Sequence, residues 1–260
     1  MGYRAEPSAA VLMQSHSKTF SDFIEIDDFR QRFIENEVNP FWVFSYGSLI
    51  WYISFRASKR LIGFVQGVRR NFSHASFRFG VPDWVMSLLI NLSCQPGRVA
   101  TLVPQSEGRT WGVAYKIVGR EEKQCAFESL ERREIDQGYT IRMIDFTDAF
   151  TNNTFQVAVY VTSPAAQVWL REVPMDIQAY QVYKSNNSVW PNKVYVCKIA
   201  DFLRNEVLSN FPEADDVHTD PAMILETYIR EYEMGVRSLS NVNAKDVRPI
   251  IVSGEDQFKI

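Results

Sequence analysis

The stretch WVFSYGSLIW, residues 42–51, constrains the fold more than any other part of the chain. The apolar run between Pro40 and Gly47 reads as a buried strand. The Tyr-Gly-Ser step then ends it. Gly47 permits a positive φ and lets another group approach the main chain closely. N–H groups that lose their ladder partners at such a turn can form an anion-binding nest, and the Ser48 hydroxyl adds a donor. Most strand-Gly-Ser turns are only turns, so this segment alone does not establish a site.

The surrounding pattern extends the picture. Residues 1–20 are polar and mixed, and residues 21–38 carry Phe23, Ile24, Phe29, Phe33 and Ile34 at helical spacing, with Asp27 and Asp28 placed to cap. Asn39-Pro40 breaks that helix. Strands are expected over 60–70 and 98–104. QSEGR is expected to turn the chain back into TWGVAYKI (110–117) as a hairpin. Residues 119–133 read as a helix with Cys125, Ala126, Phe127 and Leu130 on its apolar side. Tyr139, Ile141 and Met143 alternate, TNNT turns, and Phe155, Val157, Val159 and Val161 alternate again. Helices follow around Ile177 and Tyr180, after Pro191, and around Met223, Ile224, Ile229 and Tyr232. Strands first and helices later imply an α+β fold: a small, mostly antiparallel, closed or nearly closed sheet with packed helices.

Composition excludes several classes. The 260 residues are 46% hydrophobic, enough for a sizeable core, and the net charge of −3 offers no basic stripe for nucleic acid. The longest apolar stretch, WVMSLLI at 84–90, is too short to span a bilayer. The first residues lack the apolar core of a secretory signal. Cys94, Cys125 and Cys197 are odd in number and widely spaced, so neither a disulfide framework nor a zinc site is expected. These features point to a reducing cytoplasm, with no membrane or nucleic-acid partner. The oligomeric state is left open.

Two further segments can carry chemistry. In LERREIDQGY (130–139), Glu134 falls where a charged helix gives way to Gly138 and a strand. A carboxylate there can point inward, although a solvated helix end is the commoner outcome. Ser48 can also be read as a hydrolase nucleophile with His74 as base, but the glycine spacing of a nucleophile elbow is absent. Cys125 reads as a core residue. A binding module without turnover is a further alternative.

Taken in order, WVFSYGSLIW, RLIGFVQGVRRNF, PGRVATLV, WGVAYKI, LERREIDQGY and TIRMIDF resemble the ChaC-type γ-glutamylcyclotransferases. The resemblance runs from about residue 41 into 194–203. It implies a barrel-like fold acting on glutathione, without metal or nucleotide, to release 5-oxoproline and cysteinylglycine. It also implies a catalytic domain over 41–233, an N-terminal extension over 1–40 and a C-terminal tail over 234–260. By the same resemblance, Glu134 matches the catalytic glutamate. Tyr46, Gly47 and Ser48 match the substrate-binding turn, Val43, Phe44 and Ser45 the strand leading into it, and Tyr139 an aromatic lining the pocket.

Three departures stand out. Ser45 replaces a usual glycine. Val189 and Trp190 replace a small pair, while Asn192 and Tyr195 remain. The apolar segment 83–95 has no counterpart and is expected to be either a packed insertion shielding the pocket or the product of an alternative transcript. The implied reaction sets a physical requirement. Moving a proton from an α-amino group titrating near 8 to an ordinary glutamate near 4.3 is uphill by roughly 5 kcal/mol, so Glu134 is expected to be partly withdrawn from water.

Overall fold

The computed structural model describes residues 20–21, 24–36, 39–76, 96–185 and 191–237. The 83–95 segment and the Val189-Trp190 pair lie outside the described residues. The first element, α1 (Ile26–Phe29), continues as a π-helical turn over Arg30–Ile34. Its Phe29 and Ile34 are buried. Phe29 stacks on Phe127 at 5.9 Å and meets Phe41 edge-on at 5.6 Å, which ties this segment to the body of the protein.

Five strands follow: β1 (Phe41–Ser45), β2 (Lys59–Ser76), β3 (Gly97–Ile117), β4 (Thr140–Asp148) and β5 (Thr154–Val161). They close a barrel in the order β1-β3-β2-β4-β5. All neighbours are antiparallel except the closing pair, in which β1 runs parallel to β5 through Val43–Ala158 and Phe44–Val159. The expected α+β barrel-like sheet is present. Closure removes the unpaired edges that a sheet this apolar would otherwise expose.

The expected hairpin does not form. QSEGR does not reverse the chain, because residues 98–104 and 110–117 belong to the single strand β3. Opposite Gly67, β2 steps from Gln66 to Val68 while β3 steps from Arg109 to Pro104, so 105–108 form a bulge in a continuing ladder. The polar, glycine-containing composition of a bulge and of a turn is the same. Only the partner strand decides between them. The expected alternation in β5 also gives way to continuous burial from Val157 to Val161, since one face fills the barrel and the other is covered.

The remaining helices are α2 (Arg120–Arg133), α3 (Met175–Lys184), α4 (Asn192–Phe202, continued as a π-helix over Leu203–Leu208) and α5 (Pro221–Glu233). Helix α2 buries Ala126, Phe127 and Leu130. Cys125 is exposed, contrary to the expected core position. It lies about 100° around the helix from Ala126 and so falls off the buried stripe. Helix α5 starts with Pro221 at its first turn, and the Asp220 side chain accepts a hydrogen bond from the Ala222 N–H at 2.9 Å. Among the described residues no helix is long and apolar enough to cross a membrane.

Candidate active site

The site forms at the end of the barrel where β1 and β5 finish and β4 begins. Strand β1 is buried throughout at Val43, Phe44 and Ser45, so the chain enters the following turn from a fixed direction. Tyr46 is buried, and its hydroxyl donates to the Tyr160 carbonyl on β5. Ser48–Ile50 then make one 3-10 turn, in which the Ile50 N–H reaches the Gly47 carbonyl at 3.0 Å. Among the described residues, no group accepts a hydrogen bond from the N–H of Gly47, Ser48 or Leu49. Three successive donors are thereby left at the barrel end, and such a run of N–H groups can bind an anion.

Gly47 serves this turn differently from the expectation. Its φ is −133°, outside the left-handed region. What demands glycine is space, because a Cβ there would lie 2.7 Å from the Tyr195 hydroxyl oxygen. That hydroxyl is held in place by the Ala100 N–H, which donates to it at 3.1 Å.

Glu134 sits at the C-terminus of α2. Its backbone N–H bonds the Leu130 carbonyl at 2.8 Å, and its own carbonyl accepts from Gln137 at 3.1 Å and Tyr139 at 3.0 Å. Gly138, at φ 93°, lets the chain leave this tight end in a conformation that a side chain would oppose. As a residue, Glu134 is half-buried. Its charge reaches four buried phenols, Tyr46, Tyr139, Tyr160 and Tyr195. Burial pushes all four hydroxyls up from their ordinary range, neighbouring phenols add to this at Tyr46 and Tyr139, and the Glu134 charge raises each of the four further. They remain protonated and neutral within reach of the Glu134 charge.

The preceding residue fastens the acid's helix to the turn. Arg133 donates from one Nη to the Ser48 hydroxyl at 3.0 Å and from the other to the Tyr52 carbonyl at 2.9 Å. This contact also bears on the hydrolase alternative. Ser48 faces a guanidinium, whereas His74 contacts the Thr162 hydroxyl at 2.6 Å and stacks on Tyr139 at 4.1 Å. Burial lowers the His74 imidazole to about 3. No Ser48–His74 pair forms.

The turn, Glu134 and Tyr139 therefore come together as the sequence suggested. Tyr139 is anchored by donating its hydroxyl to the Ala100 carbonyl at 2.8 Å. Val43 and Phe44 support the turn from within the core. Ser45 is buried, and among the described residues its hydroxyl has no hydrogen-bond partner, nor has the hydroxyl of Tyr160. Sequence reasoning gave no role to Tyr160, which lies within a run of apolar strand residues. Nor did it assign one to Arg70, although an arginine inside a strand so heavily buried is itself a signal. Among the described residues no cluster of three or more His, Cys, Asp or Glu is placed to hold a metal ion.

Comparison with known proteins bears on the family and the fold. A family model described as ChaC-like protein matches residues 41–225. Human glutathione-specific γ-glutamylcyclotransferase 1 is 32% identical over 193 residues, covering 72% of this chain and 79% of its own length. The zebrafish (Danio rerio) protein of the same name is 28% identical over 179 residues, covering 68% and 84%. A crystal structure of a yeast γ-glutamylcyclotransferase specific to glutathione superposes with a TM-score of 0.59 at 21% identity, covering 74% of this chain and 96% of that one, and so shares the fold. With one family model spanning the five strands and most of the chain, the chain belongs to the ChaC-like protein family.

Proposed function

We propose that the protein is a glutathione-specific γ-glutamylcyclotransferase. The observation that carries this reading is half-buried Glu134, whose charge reaches four buried phenols at the barrel end that also presents the N–H groups of Gly47, Ser48 and Leu49.

The reaction is intramolecular. The α-amine of the γ-glutamyl unit attacks its own γ-carbonyl, a new C–N bond closes the five-membered lactam, and the original γ-amide C–N bond breaks. Glu134 takes the proton released by the attacking amine and delivers it to the departing cysteinylglycine nitrogen, so the carboxylate is regenerated. Holding the substrate folded accounts for a large share of the acceleration, since correct positioning is worth up to about 7–11 kcal/mol. The donors of the turn receive the substrate carboxylate or the oxyanion that develops on the γ-carbonyl. Tyr139, Tyr160 and Tyr195 lie within reach of the Glu134 charge. Exposed Cys125 and half-buried Cys197 are both free thiols, in keeping with a reducing compartment such as the cytoplasm.

The test is product analysis. The purified chain is incubated with glutathione and, separately, with γ-glutamyl dipeptides lacking the cysteinylglycine part, and 5-oxoproline is quantified. Release from glutathione in clear preference to the dipeptides is expected. Release from the dipeptides alone would reassign the substrate, and release from none would remove the activity.

A further inference from the structure

Arg70 on β2 is almost fully buried, at 1% exposure, and none of the chemistry above uses it. Its guanidinium makes three contacts in three directions. Nε donates to the Tyr46 carbonyl at 3.0 Å, one Nη donates to the Trp111 carbonyl on β3 at 2.6 Å, and the other pairs with the Asp220 carboxylate. Asp220 is itself the cap of α5, through its bond from the Ala222 N–H. The first contact falls on the peptide that opens the candidate substrate turn.

That peptide is planar and trans, so its carbonyl and its N–H point in opposite directions. Fixing the Tyr46 carbonyl on Arg70 therefore fixes the Gly47 N–H pointing away from Arg70, and among the described residues nothing accepts its hydrogen bond. A charge-assisted bond to the carbonyl also polarises the amide and strengthens its N–H as a donor. An ion pair that only held α5 to the barrel would need one contact to Asp220. The other two contacts, to carbonyls on β3 and on the turn, need the planar fork that arginine provides and lysine does not.

We propose that Arg70 is a positioning residue for the reaction, orienting and polarising the Tyr46–Gly47 peptide so that its N–H binds the substrate. Asp220 supplies the counter-charge that allows the guanidinium to be buried. The inference rests on the proposed cyclotransferase reaction and adds a residue that acts through the turn rather than on the substrate.

The experiment compares 5-oxoproline release from glutathione by the full chain, Arg70→Lys and Asp220→Asn, each well below its melting midpoint. Lysine can still meet Asp220 but cannot also span to the turn, so kcat/KM should fall by about 10²-fold, the scale of one lost transition-state donor. Asparagine still caps α5 and leaves Nε on the Tyr46 carbonyl. That variant should melt earlier yet keep its kcat/KM within an order of magnitude of the parent. The Gly47 amide proton, followed by NMR in Glu134→Gln to prevent turnover, should move downfield on saturation with glutathione, and the added Arg70→Lys should abolish the shift. If Arg70→Lys does not fold, the Gly47 amide in Glu134→Gln decides alone: a shift supports the proposal and a static resonance overturns it. A folded Arg70→Lys with parental kcat/KM overturns it, as do equal losses in both variants. A full chain that releases no 5-oxoproline is a different failure, since it removes the reaction before any variant is compared.

Discussion

At the scale of single residues, the site depends on how closely two polar groups may approach. Gly47 lies under the Tyr195 hydroxyl with no room for a methyl group, and the Ala100 N–H keeps that hydroxyl from moving aside. Gly47→Ala should therefore cost about 1–3 kcal/mol of unfolding free energy through overpacking. In a Tyr195→Phe background the oxygen is gone, and urea unfolding should show a clearly smaller cost for the same substitution. Equal costs in the two backgrounds would mean that the close contact is not what excludes a side chain. Gly47, Ser48, Glu134 and Tyr139 were legible as site residues because they occupy short runs with a recognisable order. Tyr160 and Arg70 were not, because each is brought to the site by strand pairing between distant segments. The fixed role of Gly47 was legible, but its cause was not. A left-handed turn and a crowded one both select glycine.

At the scale of elements, the site is a junction between β1 and the end of α2. Arg133 makes that junction through the Ser48 hydroxyl and the Tyr52 carbonyl, and its guanidinium lies 5.1 Å from the Tyr52 ring centre. Arg133→Met keeps the length and helical preference of the side chain and removes both bonds. A loss of about 1 kcal/mol in stability is expected. Because the turn is then no longer fastened beside Glu134, KM for glutathione should rise severalfold, which steady-state kinetics will measure. Unchanged kinetics would show that α2 and the turn are aligned without this contact. The helices were readable from their apolar spacing. The continuous strand β3 was not, because residues 105–108 have the chemistry of a turn and are a bulge only by virtue of the β2 residues opposite them. Cys125 was misplaced for a related reason: membership of a helix was clear, but its angle from the buried stripe depended on where the helix met the barrel.

At the scale of the whole molecule, closing the barrel buries polar groups together with the core, and this makes stability depend on pH. His74 is held neutral, lowered by burial to about 3, while in the unfolded chain it titrates near its ordinary 6.5. Between those values the unfolded state binds the extra proton, so stability is complete above about pH 6.5 and is lost as the pH falls toward 3. The slope from this one group approaches about 1.4 kcal/mol per pH unit. Urea unfolding at pH 7.5 and 4.5 should therefore show a larger drop for the parent than for His74→Gln. Equal drops would place the acid sensitivity elsewhere.

The proposed reaction requires Glu134 to be the group that moves the proton. The most direct measurement is kcat/KM for glutathione in the parent and in Glu134→Gln, with melting curves to verify that both are folded. A loss of about 10²–10⁴-fold at unchanged melting temperature is predicted, the range for removing a general acid–base group. A folded Glu134→Gln that releases 5-oxoproline at the parental rate would contradict it.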